Sequence, residues 1–181
     1  MSELKSSVKP AARRVEIFRA SDAKDIAETD MMKPSPPPPA ERAAFSAVLS
    51  EGRERGTAVR VLSKSPSGLS LVYAWFKSLY PLPPHSHDAD CMYYVVSGEL
   101  TMGTETLRAG DGLFVPANTF YSFTAGPEGV EILEFRAADA FDTVVRAGSA
   151  AAWERAASVV QERLPHWKSE PTPSDRHNVA N

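Results

Sequence analysis

Between residues 57 and 136 the chain alternates short β-rich segments with turn-forming residues at close spacing. The turn-forming residues occur at Ser65-Pro66-Ser67-Gly68, Ser97-Gly98, Ala109-Gly110-Asp111-Gly112 and Gly126-Pro127-Glu128-Gly129. The segments between them carry many β-branched and aromatic residues and predict strands at 57–63, 69–79, 91–97, 99–103, 105–108, 112–115, 119–124 and 129–136. Many short strands at this spacing indicate a closed or nearly closed antiparallel barrel or sandwich.

Helical patterns lie on both sides of this β-rich region. The segment 41–56 is assigned as a short helical segment. The apolar pattern of residues 40–51 predicts the helix, with Gly52 as its expected stop. A C-terminal segment, 137–164, carries an amphipathic helix over 149–164 that we expect to pack across the barrel or against a second subunit. The apolar stripe of that helix consists of Trp153, Ala157, Val160 and Leu164. The polar tail 165–181 contains prolines and is expected to be irregular.

The first 40 residues are polar and contain the run Pro36-Pro37-Pro38-Pro39. Four consecutive prolines cannot lie inside a helix or a sheet, and they favour an extended polyproline segment. We therefore interpret residues 1–40 as an extended linker or an arm that wraps the domain.

Composition narrows the class of protein. A length of 181 residues suffices for one domain with a core plus extensions, and a net charge of -3 argues against a nucleic-acid partner. No apolar run approaches the roughly 20 residues of a membrane helix, and the N-terminus lacks the apolar region of a signal peptide. A single cysteine excludes an intrachain disulfide. We expect a cytoplasmic protein with no membrane partner.

Two of the four histidines lie in the stretch Pro84-His85-Ser86-His87, just before the apolar run that starts at Cys91. Side chains at i and i+2 of an extended segment point to one face. Neutral imidazole is the commonest protein ligand of zinc, iron, copper and nickel. The pair therefore predicts a metal site, and the alternative is two histidines that hydrogen-bond a bound ligand or neighbouring groups.

The stretch from about residue 72 to 135 resembles the cupin superfamily of small β-barrels. The family's two motifs read roughly G-x5-H-x-H-x3-E-x6-G and G-x5-P-x-G-x2-H-x3-N. The residues that match them are His85, His87, Gly98, Gly110 and Pro116. The resemblance implies a mainly β fold, a cupin-type antiparallel β-barrel (jelly roll) over 57–136 with flanking helices. It also implies a divalent transition metal, Fe, Zn, Ni, Cu or Mn, as cofactor.

Four positions depart from those motifs. Leu79 and Asn118 stand where the motifs have glycines. Cys91 stands where the family has a glutamate ligand, and Tyr121 where it has the third histidine. Two of the four usual ligands are therefore replaced, and the family's metal chemistry does not transfer as a whole.

Each replaced ligand leaves two interpretations. Cys91 can complete a His85, His87 and Cys91 metal site as a thiolate, or it can be a small buried apolar residue. Tyr121 can ligate a metal as a phenolate, or it can act catalytically by orienting a metal-bound water or an anionic substrate through its hydroxyl, which is the role we predict. Asp88 and Asp90 are expected on the solvated rim, with Asp90 as an alternative oxygen ligand.

Aromatic residues are dense in the predicted strands and are expected to line a pocket for a small molecule. The candidate ligand-binding residues are Tyr73, Trp75, Tyr93 and Phe123. Strand alternation also places Glu131 and Glu134 on opposite faces, so that one of them can lie in the barrel.

These features support two functions. The first is a metal-dependent enzyme, an oxidoreductase of the dioxygenase kind or an isomerase, that acts on a small organic substrate. The second is a metal-free or non-catalytic cupin that binds or senses a small molecule. In either case we expect a homodimer.

Overall fold

The computed structural model describes residues 15–34, 47–146 and 148–179. Their strands are β1 Lys24–Asp25, β2 Met32–Pro34, β3 Thr57–Lys64, β4 Ser70–Phe76, β5 Pro81–His87, β6 Cys91–Met102, β7 Glu105–Arg108, β8 Gly112–Val115, β9 Tyr121–Arg136 and β10 Phe141–Val145. Their helices are two short 3-10 helices, Ala20–Asp22 and Ile26–Glu28, a π-helical segment, Ala47–Gly52, and α1 Arg53–Gly56, α2 Ala150–Trp167 and α3 Pro173–Val179. Among these residues no helix is long and apolar enough to span a membrane.

The strands form one curled sheet, and the predicted fold class is confirmed. Its hydrogen-bonded order is β1-β3-β4-β9-β5-β10-β2, while β6 pairs with β7, β8 and β9. All of these pairs are antiparallel except the one between β2 and β10, which is parallel. The long strand β9 pairs with β4, β5 and β6 and so joins the two halves of the barrel.

Two of the predicted turns lie inside long strands. Ser97 and Gly98 belong to β6, and the segment 126–129 belongs to β9. The pairing of these strands shifts register between Val95 and Ser97, and again after Gly98, as at β-bulges. Gly98 has a φ of 76°, and a Cβ there would collide with the backbone of Gly129. The glycine therefore allows a bend within a strand and not a chain reversal.

The predicted strands do not include β1, β2, β5 or β10. The prolines of β5 weaken its strand signal, because proline cannot donate to the ladder. In the structure Pro83 and Pro84 lie where the pairing of β5 with β9 is irregular, between Leu82 and His85. Regular pairing of β5 with β10 begins at His85, so the H-x-H segment is extended as expected.

Part of the N-terminal arm wraps the barrel. β1 pairs with β3, and β2 pairs with β10, at the two ends of the strand order. Ile26 and Met31 are buried against Val72 and Phe141 in a small second core. The four prolines at 36–39 and the segments 1–14 and 41–46 lie outside the described residues.

Both predicted helix ends differ from the structure. The N-terminal helix continues through Gly52, which has helical backbone angles, to Gly56. The tail predicted to be irregular contains the last turn of α2, which runs through Pro165, and all of α3. Trp167 explains the extension of α2, because it is fully buried and its Nε1 donates to the carbonyl of Ser78 at 2.9 Å. Tertiary packing here outweighs the local preference of proline.

The amphipathic stripe of α2 packs against the barrel core. Trp153 and Val160 are buried, and Ala157 and Leu164 pack against the same core cluster. The main core therefore lies between the inner face of the sheet and α2.

Candidate functional site

A cavity of about 420 Å³ opens into the barrel. Its apolar walls are Ile26, Met32, Leu49, Val59, Phe76, Tyr80, Leu82, Pro83, Phe141 and Val145. Its polar lining is Arg53, Thr57, His85, His87, Tyr93, Tyr121, Glu134, Arg136 and Thr143. The volume is within the range of small-molecule sites, roughly 300–1,000 Å³. The predicted pocket is therefore present, with most of its polar groups on β5, β6 and β9.

The tautomer of His85 follows from its neighbours. Its Nδ1 lies 2.8 Å from the carbonyl oxygen of Pro83, and a carbonyl can only accept. Nδ1 therefore carries the proton. Burial lowers the pKa of His85 to about 4, so that the ring is neutral and Nε2 is an acceptor. The hydroxyl of Tyr121, 2.8 Å from Nε2, must donate to it.

The direction of the Tyr121–His85 hydrogen bond determines which groups donate and which accept in the bonds next to it. Because the Tyr121 proton points to His85, the Tyr121 oxygen accepts from the hydroxyl of Tyr93. The Tyr93 oxygen in turn faces Nη2 of Arg136 at 3.4 Å. Burial raises the pKa of both phenols, so both keep their protons. Arg136, Tyr93, Tyr121 and His85 thus form a continuous buried donor chain, which we call the tyrosine relay.

His87 lies beside this relay with one nitrogen unused. Its Nδ1 is 3.0 Å from the carbonyl oxygen of Asp142 and 3.2 Å from the hydroxyl of Thr143. Burial, together with the nearby Arg136 and His85, lowers its pKa to about 3. The neutral ring therefore donates from Nδ1. Its Nε2 has no hydrogen-bond partner among the described residues, and His87 lines the cavity.

A buried ion pair completes the polar end of the cavity. Arg136 Nη1 lies 2.6 Å from the Glu134 carboxylate, and the two side chains are 1% and 9% exposed. Burial acts to lower the pKa of Arg136, but the negative charge of Glu134 holds the pKa of Arg136 above its ordinary value. The guanidinium also lies 4.1 Å above the ring of Phe141. Strand alternation had identified Glu134 as one candidate for the barrel. Arg136 was missed, although it is two residues farther along the same face.

Cys91 lies in the same interior but is not grouped with both histidines. Burial raises its thiol pKa to about 12, and the Glu134 carboxylate raises it as well. The groups that act on this thiol are Glu134, Arg136 and Tyr93. Within the described residues no three side chains of His, Cys, Asp and Glu form a cluster that could hold a metal ion.

The donor set therefore fits a metal only in part. Both histidines have Nδ1 hydrogen-bonded to a backbone carbonyl, an arrangement that orients Nε2 toward a metal in many sites. However, the Nε2 of His85 is bound to Tyr121, and the carboxylate of Glu134 is bound to Arg136. The described residues thus supply two imidazoles, and no third ligand stands free beside them.

Two of the four predicted ligand-binding aromatics lie on the outer face of β4. This strand buries Val72, Ala74 and Phe76, so Tyr73 and Trp75 point the other way. Tyr73 donates to Glu131 at 2.7 Å, and Lys77 lies over the ring of Trp75. The expectation that Tyr73 and Trp75 line the pocket is therefore corrected. Glu131, the carboxylate on the opposite face from Glu134, also accepts from Ser174 of α3.

Of the other two aromatics, one lines the cavity. Tyr93 belongs to the tyrosine relay, whereas Phe123 packs edge-on against Phe76, with ring centroids 5.1 Å apart, outside the cavity lining. Asp88 and Asp90 are exposed, and neither lines the cavity. Their carboxylates accept from the backbone N–H groups of Asp142 and Ala117, respectively.

No protein-family model and no curated protein matches this chain. Among solved structures, an RmlC-like cupin from Shewanella frigidimarina is 28% identical over 46% of this chain and 78% of its own, with a TM-score of 0.41. KdgF from Halomonas sp. is 26% identical over 46% of this chain and 81% of its own, with a TM-score of 0.42. The DMSP lyase DddQ from Ruegeria pomeroyi is 18% identical, with a TM-score of 0.50. That match spans 56% of this chain and 58% of the lyase, and it is a likeness of fold.

Proposed function

For a chain that has the cupin fold, we propose that its function is to bind a small organic molecule in the barrel cavity. The observation that carries this proposal is an apolar cavity of about 420 Å³ that ends in buried polar groups, two of which keep an unused hydrogen-bonding atom. These atoms, which have no hydrogen-bond partner in the described part of the chain, are Nε2 of His87 and Nε of Arg136. A ligand that fills the cavity can satisfy them.

The walls favour a ligand with an apolar body. They combine aliphatic side chains with the aromatic rings of Phe76, Tyr80 and Phe141. Burial of apolar surface is the main source of affinity in such sites, about 25 cal/mol per Å² before the costs of association. The polar end then selects for orientation. His87 Nε2 can only accept, so it favours a hydroxyl or N–H on the ligand, whereas Arg136 Nε can only donate and favours a ligand oxygen.

The test is a binding titration with hydrocinnamyl alcohol, which has an aromatic ring and one hydroxyl. For its 10 non-hydrogen atoms we expect a Kd of roughly 0.1–1 mM by calorimetry. Val145→Phe should abolish the binding because Val145 lines the cavity. Val144→Phe is the matched control, since Val144 is the neighbouring residue and is exposed. Equal binding by the two variants would contradict the proposal.

A second candidate is a metal-dependent function, and one observation favours it. Both histidines donate from Nδ1 to backbone carbonyls, which leaves each Nε2 as the metal-binding atom. A divalent cation bound by His85 and His87 would polarise a ligand's oxygen as a Lewis acid. Water or that oxygen would supply the other ligands. Rotation of the Tyr121 hydroxyl away from His85 would be needed first.

Metal analysis and melting curves test this candidate. Protein purified without added metal should contain metal, and chelation should lower its melting temperature, because a ligand that binds only the folded state stabilises it. The shift should vanish in the His85→Asn/His87→Asn double variant. It should persist in His166→Asn, since His166 is exposed on α2. Metal-containing protein that melts identically with and without chelator would rule out a role for the metal in this pocket.

A further inference from the structure

We propose that the molecule bound in the cavity is a monocarboxylate with an apolar body, and that Arg136 binds its carboxylate. This inference rests on the proposed function and specifies its ligand class. The juxtaposition that carries it is a buried guanidinium in the lining of an apolar cavity, one nitrogen of which has no hydrogen-bond partner among the described residues.

The contacts of Arg136 use two of its five N–H donors. Its Nη1 donates to Glu134, and its Nη2 faces the hydroxyl of Tyr93. Its Nε has no partner among the described residues, although the side chain is only 1% exposed. Buried N–H groups of arginine are normally paired, because desolvation without an acceptor is costly. A carboxylate is the acceptor that the fork of a guanidinium binds best.

The charge of the cavity favours one negative charge on the ligand. Three lining residues carry charge: Arg53, Glu134 and Arg136. The histidines are neutral because both rings are buried, and each donates from Nδ1 to a backbone carbonyl. The lining thus has a net charge of about +1, and a monoanion neutralises it. An amine would add to that charge, and the only carboxylate of the lining, Glu134, already binds Arg136.

The apolar walls determine the rest of the ligand. Phe141 stacks on the guanidinium of Arg136 and also packs against Ile26 and Met31 from the N-terminal arm. Beside the guanidinium the ligand therefore meets aromatic and aliphatic side chains. A sugar acid or a phosphate would lose its hydration against those walls without compensation. An aryl or alkyl monocarboxylate would not.

The experiment compares three probes that share one carbon skeleton: hydrocinnamate, hydrocinnamyl alcohol and the corresponding amine. Calorimetric titration at pH 7.5 should give a Kd for the carboxylate at least about tenfold lower than that for the alcohol, since charge-assisted hydrogen bonds are the stronger ones. The amine should bind more weakly than the alcohol. Equal affinity for carboxylate and alcohol would overturn this inference and leave the proposed function intact. Binding of none of the three would overturn both.

Variants locate the charge that the carboxylate recognises. Arg136→Met alone would leave Glu134 buried without its partner, so the variant used is Arg136→Met/Glu134→Gln. It should remove the preference for hydrocinnamate over the alcohol. Arg53→Gln should weaken hydrocinnamate by roughly two- to fivefold, because Arg53 is partly exposed. Arg55→Gln, on an exposed residue of α1, should change nothing. A preference for hydrocinnamate over the alcohol that survives in a folded double variant would overturn the inference. If the double variant does not fold, the Arg53 and Arg55 variants and the three-probe comparison decide the question.

Discussion

Acidification should unfold this protein through its two buried histidines. Burial lowers the pKa of His85 to about 4 and that of His87 to about 3, from an ordinary value of 6.5. Below pH 6.5 the unfolded chain therefore binds protons that the folded chain does not. Stability is complete above that value, and it is lost as the pH falls from 6.5 toward about 4 and 3.

The size of the loss follows from the same pKa values. At pH 5 an unfolded histidine is almost fully protonated, whereas either folded histidine is almost fully neutral. Linkage then gives a loss of about 2 kcal/mol for each histidine between pH 8 and pH 5, and about 4 kcal/mol for both. That is a large share of the roughly 5–15 kcal/mol by which domains are stable.

Urea unfolding at pH 8 and pH 5, with a chelator present so that metal does not compete with protons, measures the effect. His87→Asn should lose about 2 kcal/mol less than the wild type between the two pH values. The asparagine amide can still donate to the carbonyl of Asp142, which now accepts from His87. His166→Asn, which alters an exposed histidine, should behave as the wild type.

The double variant His85→Asn/His87→Asn decides the matter. It removes both groups that bind protons only after unfolding, so most of the difference between pH 8 and pH 5 should disappear. If it loses as much stability as the wild type, the histidines are not the cause, and the neutral tautomers assigned here would be wrong.

Three further predictions concern other parts of the molecule. Cys91→Ser should lower the free energy of unfolding in urea by about 1–3 kcal/mol, because it buries a hydroxyl. In cobalt-substituted protein, a sulfur-to-metal charge-transfer band that disappears in this variant would show instead that Cys91 is a metal ligand. Trp167→Ala should cost about 3–5 kcal/mol, and a cost below about 1 kcal/mol would contradict the packing assigned to the end of α2. The homodimer stays a prediction. Met92 of β6 pairs with Phe114 of β8, and these side chains are 55% and 62% exposed, so they form an apolar surface on which two copies can associate. Light scattering should give a dimer for the wild type and a monomer for Phe114→Glu, and a monomeric wild type at micromolar concentration would refute it.

Local patterns in the sequence determined the fold class. Alternating apolar residues and turn-forming residues indicated the barrel, and β7 and β8 have the predicted bounds. The i, i+2 spacing of His85 and His87 was enough to place both rings on one face, because an extended chain has a period of two. The motif resemblance placed Tyr121 beside them, and its hydroxyl lies 2.8 Å from His85.

Only the tertiary structure decided which face of each strand is inside and what each polar group contacts. Alternation relates Tyr73 to Trp75, but β4 turns both away from the cavity because Val72 and Ala74 pack into the core. Alternation puts Arg136 on the face of Glu134, but it does not tell which face of β9 is inside. Arg136 is stable inside because Glu134 neutralises it from the same strand and Phe141 of β10 covers its guanidinium. Strand period thus fixes neighbours within one strand, including this charge pair, whereas burial depends on contacts between strands.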